Sequence, residues 1–168
     1  MNGSHHLILS LLSLFLLLYP WLSSLSSLVL ALAVIGMVAG SLAPDVDAQD
    51  TKFLHMKGLP AIARMFFAGL GYLLRYLIYL PLSLLFWIAL GKNYRHEHRG
   101  VLHTPLGSLL MSLLLFVYTA VALLLLGRSM SVDLLVFFAA FAGGCFLHLL
   151  QDSCTPAGIA WGFPRSTR

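Results

Sequence analysis

The chain has 168 residues, of which 60% are hydrophobic and only 10% are charged. About a quarter of the residues in a soluble domain are charged, so this composition excludes an ordinary soluble domain and predicts one integral membrane domain over residues 1–168. The net charge of +4 comes without a basic stripe interleaved with aromatic residues, so we expect no nucleic acid partner and interpret the loop lysines and arginines as membrane topology signals.

The first two apolar runs, residues 7–22 and 28–43, predict a helical hairpin with a serine-rich turn between them. No lysine or arginine precedes the first run, and no small-residue cleavage site follows it. We therefore expect this run to be retained as a spanning helix and not removed as a signal peptide. Pro44 is expected to end the second helix, because proline cannot continue the hydrogen-bond ladder.

The central apolar segment, residues 59–90, is too long for one comfortable crossing, which takes about 20 helical residues. It also contains residues that bend helices or resist burial in lipid: Arg64, Gly69, Gly71, Arg75 and Pro81. One long tilted helix, an interfacial helix followed by a span, and a re-entrant hairpin are all compatible with this pattern. We favour a bent, re-entrant or interfacial element that does not make a single full crossing.

Two further runs, residues 106–126 and 132–150, predict a second hairpin with its turn near Gly127. Thr104 and Pro105 are typical of a helix N-cap and first helical position. The expected fold is therefore an all-α polytopic membrane helical bundle, made of two helical hairpins plus a bent or re-entrant central segment.

Each hairpin returns the chain to the membrane face that it left. The two halves share one face if residues 59–90 cross the membrane an even number of times or not at all. That face would then carry all of the ten basic residues except Arg75 and Arg128. Because lysine and arginine accumulate in cytoplasmic loops, we expect a multi-pass protein of the inner (plasma) membrane whose polar clusters lie on the cytoplasmic face.

Three short clusters at the ends of the apolar runs, residues 44–47, 96–103 and 148–152, hold most of the Asp and His residues. An ionisable side chain costs about 3 kcal/mol at the centre of a spanning helix, so such clusters indicate a site. Imidazole and carboxylate groups are also the ligands of metal centres. Together with a histidine ahead of the first run, the candidate metal ligands are His6, Asp45, Asp47, His98, His103, His148 and Asp152.

Spacing supports some of these ligands more than others. His148 and Asp152 are four residues apart, so on a helix they share one face and can hold one ion; the alternative is a hydrogen-bonded pair that closes a helix end. His98 and His103 are five apart and would not converge on one helix, so we expect His98 in a loop that folds back over His103. The alternative there is a solvated basic loop.

Asp45 and Asp47 alternate about a valine, so an extended segment would point both carboxylates the same way. They could bridge two ions or supply one ligand and one general base, and the alternative is an Asp-rich turn. Either His5 or His6 could complete the ligand set or cap the first span. Arg99 offers a planar fork of donors that suits a phosphate group.

This set of nitrogen and oxygen donors suits a divalent metal, one or two ions, with zinc favoured and manganese or iron possible in a two-metal site. Cys145 and Cys154 have no zinc-ribbon spacing. A site without paired cysteines favours open coordination positions and catalysis over a structural role.

The clusters resemble, in order, the motifs of the YdjM-like inner-membrane proteins, a bacterial and archaeal family that includes a LexA-regulated group and is described as membrane-bound metal-dependent hydrolases. The resemblance runs from end to end through His5 or His6, Ala43-Pro44-Asp45-Val46-Asp47, His98-Arg99-Gly100-Val101-Leu102-His103-Thr104, and His148 to Asp152 with Thr155 and Gly158. Two positions depart from the pattern, since Ala48 stands where His is frequent and Thr104 where Ser is usual.

From the clusters and this resemblance we expect a metal-dependent hydrolase that acts at the cytoplasmic membrane face on a phosphoester in a lipid or amphiphile. A metal-activated water would be the nucleophile. The expected catalytic residues are Asp47, as a base, and Arg99, which would stabilise negative charge on the substrate. Membrane lipid is the expected partner, and the alternative function is a non-catalytic metal-binding membrane protein such as a sensor or partner subunit.

Overall fold

Helices account for most of the computed structural model, which describes residues 3–47, 60–91 and 101–155. Within that part we number five helices: α1 (Gly3–Leu18), α2 (Ser27–Leu42), α3 (Ala61–Leu90), α4 (Pro105–Leu125) and α5 (Val132–Ser153). Three 3₁₀ turns adjoin them in the described residues: Tyr19–Trp21 after α1, Ala43–Asp47 after α2 and Val101–His103 before α4. The described residues contain no strand, which confirms the all-α prediction.

Side-chain caps begin three of these helices. Ser26 and Ser131 each accept a hydrogen bond from the backbone N–H three residues on, at the start of α2 and α5. Thr104 accepts from the N–H of Gly107 at 3.0 Å, and Pro105 occupies the first position of α4. The caps satisfy donors that have no partner inside the helix, and the predicted start at Thr104-Pro105 is confirmed.

The helix bounds follow the apolar runs closely, with two differences that affect the polar clusters. α2 and α4 lie within one residue of the predicted runs at each end. α1 begins at Gly3 and not at residue 7, so it includes His6. α5 continues to Ser153 and so includes Asp152. In both cases polar residues at the end of an apolar run are taken into the helix.

Among the described residues, four helices are long and apolar enough to cross a membrane: Ser27–Val46, Ala61–Leu90, Pro105–Leu125 and Val132–Ser153. A shorter apolar helix covers His5–Trp21. Their outer faces carry large exposed apolar side chains such as Leu16 and Leu124. Contiguous apolar surface of this kind is typical of contact with lipid. The molecule is therefore a multi-pass membrane helical bundle.

α2 and α5 pack backbone against backbone through glycine. A Cβ atom on Gly40 would lie 2.0 Å from the carbonyl oxygen of Phe141, and one on Gly36 would lie 2.3 Å from that of Phe137. Small residues let membrane helices approach this closely. The contact brings the end of α2 beside the last two turns of α5, where His148 lies.

α3 is one uninterrupted helix of 30 residues, about 45 Å long at 1.5 Å per residue. A π-helical turn, Arg75–Tyr79, lies just ahead of Pro81; proline lacks the N–H that an α-helical ladder needs there. Of the three arrangements open from the sequence, the structure therefore forms the long helix, and no hairpin turn occurs within it.

The middle of α3 packs at the end of the bundle where the polar clusters lie. Leu74 and Ile78 belong to the same buried cluster as Ala43, Val46 and Leu102, and the π-helical turn contacts the 3₁₀ turn that follows α2. These contacts with the end of α2 favour a helix that lies across this end of the bundle.

We accordingly expect the two ends of α3 to lie on the same side of the membrane. Single cysteines at positions 58 and 91, in a protein whose native Cys154 is replaced by Ser, should react with a membrane-impermeant maleimide from the same side. A cysteine at Gly127, in the turn between α4 and α5, serves as the control and should react from the other side. Labelling of positions 58 and 91 from opposite sides would show a single crossing.

Candidate metal centre

Four helices and two turns bring five candidate ligands to one end of the bundle. α1 and α4 begin at this end, and α2 and α5 finish here. The five residues are His6 in the first turn of α1, Asp45 in the turn after α2, His103 just before α4, and His148 and Asp152 in the last two turns of α5. The candidate ligands therefore converge in space although they come from distant parts of the sequence. His6 and Gln151, the neighbour of Asp152, are 145 positions apart.

The donor atoms lie at separations that an ion can bridge. Asp45 Oδ1 is 3.3 Å from His103 Nε2 and 3.5 Å from His148 Nε2. Asp152 Oδ1 is 3.3 Å from His6 Nε2, and its Oδ2 is 3.7 Å from His148 Nε2. Bonds of about 2.0–2.1 Å to zinc place tetrahedral ligands about 3.3 Å apart. Small movements would thus convert these contacts into metal coordination.

Two overlapping triads meet this requirement among the described residues. One is His6, His148 and Asp152, and the other is Asp45, His103 and His148; within each triad the ligand atoms lie within 4.8 Å of one another. Because His148 belongs to both, the five residues form one centre and not two separate sites.

The centre is buried except on one side. His6, His103, His148 and Asp152 are each at most 2% exposed, whereas the Asp45 side chain is 24% exposed. Burial of carboxylates is costly unless positive charge or hydrogen bonds compensate it. The five side chains therefore suit a bound cation.

One buried atom supports a cation site. His148 Nδ1–H donates to the carbonyl oxygen of Ser41, in the last turn of α2, at 2.8 Å. The neutral ring then carries a lone pair on Nε2, which has no hydrogen-bond partner among the described residues. A lone pair held beside carboxylate oxygens of Asp45 and Asp152 is the arrangement expected of a metal ligand.

The structure distinguishes between the two neighbouring histidines that the sequence left open. His6 is 2% exposed and faces the centre, whereas His5 is exposed. Adjacent residues on a helix point about 100° apart, so α1 can present only one of them to the centre.

Three predicted residues are not tested by the geometry. His98 and Arg99 lie outside the described residues. Asp47 ends the 3₁₀ turn after α2, and its side chain lies outside the described part as well. The roles of these residues as ligands or catalytic groups stay predictions.

Hydrogen-bond partners of the histidines were not identified from the sequence. Besides the Ser41 carbonyl at His148, Gln151 Oε1 lies 2.7 Å from His6 Nδ1, and Gln151 Nε2 in turn donates to Ser10 Oγ at 3.4 Å. The position of Ser10, one helical turn after His6, was the available signal, since the two share a helix face. Nothing in the sequence pairs either residue with Gln151 at the far end of the chain.

Comparison with known proteins gives one match. The model of the family described as YdjM inner membrane protein matches residues 1–168, so it covers every element of the candidate centre. No curated protein and no solved structure matches the chain.

Proposed function

Because the chain belongs to the YdjM inner membrane protein family, we propose that it is a membrane-bound metal-dependent hydrolase of phosphoesters in lipids or amphiphiles. The observation that carries the proposal is the buried set of three imidazole nitrogens and two carboxylates at one end of the bundle. A set of nitrogen and oxygen donors without cysteine suits zinc, or manganese or iron where two ions bind.

His6, Asp45, His103, His148 and Asp152 would hold the ion or ions. Either triad supplies three protein ligands, the number typical of catalytic zinc sites, in which a further position stays open. When bound, a divalent cation supplies Lewis acidity toward a phosphoryl oxygen and lowers the pKa of the water that it holds.

Two residues would act beside the metal ligands. Asp47 follows Asp45 by two positions and would accept a proton from the attacking water. Arg99 precedes His103 by four positions, and its guanidinium would bind two phosphoryl oxygens and stabilise the charge that develops on them.

The surroundings of the centre support an amphiphilic substrate. Ile8 and Leu9, which lie in the helical turn after His6, are 62% and 42% exposed. Leu106 and Leu150, near His103 and Asp152 in sequence, are 43% and 37% exposed. Apolar side chains that are exposed on membrane helices indicate contact with lipid. A molecule with its tail among the lipids could thus bring a phosphoester to the centre. We assign the centre to the cytoplasmic face from the distribution of lysine and arginine.

A metal-dependent assay tests this function. Full-length protein purified in detergent would be stripped with chelator, reloaded with zinc, manganese or iron, and assayed on phospholipid vesicles, on isoprenoid phosphates and on soluble aryl phosphoesters. We expect hydrolysis of an amphiphilic phosphoester that EDTA abolishes and metal restores. Stoichiometric metal without turnover of any substrate would favour the non-catalytic alternative, a sensor or partner subunit.

Replacing Arg99 by Lys should leave the metal in place and lower hydrolysis by about 100-fold, the effect of removing one well-placed donor to the transition state. A lysine ammonium cannot reproduce the bidentate grip of a guanidinium on phosphate. Metal content by elemental analysis and kcat on the best substrate would be measured together. Arg128→Lys, in the exposed turn after α4, is the control and should change neither quantity. If Arg99→Lys lost metal, the role of Arg99 would be structural.

A further inference from the structure

Gln151 links α5 to α1 beside the candidate metal centre. Its side chain lies between two residues of α1, with Oε1 2.7 Å from His6 Nδ1 and Nε2 3.4 Å from the hydroxyl of Ser10. Ser10 is fully buried and His6 is 2% exposed. The amide is thus held at both of its ends by residues that share one face of α1.

This geometry selects one tautomer of His6. With Oε1 as the acceptor, His6 Nδ1 carries the proton and donates it, so Nε2 carries the lone pair. Nε2 lies 3.3 Å from Asp152 Oδ1, on the side of the ring that faces the centre. The opposite orientation of the amide would leave Nε2 protonated, which would make His6 a donor to Asp152 and not a metal ligand.

The same arrangement occurs at a second histidine. His148 Nδ1–H donates to the Ser41 carbonyl, so its Nε2 is also unprotonated and faces the centre. The rings of His6 and His148 stack at 4.2 Å between centroids with an angle of 22° between their planes. Two stacked imidazoles, each with an acceptor at Nδ1, present two Nε2 atoms to the same centre.

We infer that Gln151 is the positioning residue of His6, fixing its ring and its tautomer so that Nε2 binds metal, while the other end of the Gln151 amide contacts Ser10. The inference rests on the proposed metal centre. Residues that hydrogen-bond to a ligating histidine without binding the metal themselves orient its ring and typically contribute 10–100-fold to metal affinity.

The test is a set of metal titrations on full-length protein in detergent, with zinc affinity measured by competition and coordination followed by the absorption bands of cobalt. Gln151→Leu removes the acceptor and should weaken affinity by about 10–100-fold and alter the cobalt spectrum. Gln151→Glu can only accept a hydrogen bond from Nδ1, so it should bind zinc at least as tightly as the wild type. Ser153→Ala, on the same turn with its hydroxyl bonded to the Leu150 carbonyl, is the matched control.

A double-mutant cycle separates positioning from a general structural role. If Gln151 acts through His6, adding Gln151→Leu to His6→Ala should change affinity less than about two-fold. A further ten-fold loss of zinc affinity in the His6→Ala background would overturn the inference. A ten-fold loss of affinity in Gln151→Glu would also overturn it, and this variant provides the test if Gln151→Leu fails to fold. Normal zinc affinity in Gln151→Leu would overturn the inference and leave the metal centre standing. Absence of stoichiometric metal from the wild type would overturn both.

Discussion

Replacing His148 by Ala is expected to abolish stoichiometric metal binding while the protein stays inserted and helical. His148 is the member common to both triads, so its loss removes a nitrogen ligand from each. The loss in affinity should exceed the 100-fold that is the upper range for a residue outside the coordination sphere. Insertion depends on the apolar side chains of the spans, which this substitution leaves in place. Elemental analysis and circular dichroism of the purified protein would measure the two properties.

The adjacent histidines at the start of α1 provide the matched control for this experiment. His5 is exposed and His6 is buried at the centre, so His5→Ala should bind metal as the wild type does, whereas His6→Ala should bind it measurably more weakly. Thermal unfolding gives a second readout: metal at 100 times its Kd stabilises a binding-competent protein by about 2.7 kcal/mol, and this increment should vanish in His148→Ala. Full metal occupancy in His148→Ala would contradict the assignment of the centre.

Replacing Gly40 by Ala should destabilise the helix pair and disrupt the centre, although Gly40 is not itself a ligand. The added Cβ would lie 2.0 Å from the Phe141 carbonyl oxygen, and a backbone atom cannot move aside without moving α5. Overpacking of this kind typically destabilises by about 1–3 kcal/mol. Separation of α2 from α5 would also stretch the hydrogen bond from His148 to the Ser41 carbonyl, so metal affinity should fall as well.

Gly69→Ala is the control for this substitution. Gly69 lies within α3, and a Cβ added there would meet nothing within 4 Å. Because alanine favours a helix over glycine by about 1 kcal/mol, this variant should be as stable as the wild type or more so. Thermal unfolding in detergent and zinc titration of both variants would be compared. Wild-type metal affinity and stability in Gly40→Ala would show that the close contact of α2 with α5 is not required.

The sequence by itself determined the helices, because the signals for them are local. The apolar runs set the extents of α2 and α4, and the caps at Ser26 and Thr104 begin them through hydrogen bonds that span only three residues. It also indicated four of the candidate ligands, Asp45, His103, His148 and Asp152, because ionisable groups are costly near hydrocarbon and their clustering beside apolar runs therefore indicates a site.

Tertiary structure decided which groups meet, and for this the sequence carried no local signal. The rotation of α1 selects His6 over His5, and the glycine contact between α2 and α5 brings a backbone carbonyl to His148. The partnership of His6 with Gln151 joins residues 145 positions apart. α3 runs unbroken through its π-helical turn, where Ile78 and Tyr79 pack in the buried cluster. Such contacts depend on how rigid helices pack in three dimensions, which no spacing along the chain encodes.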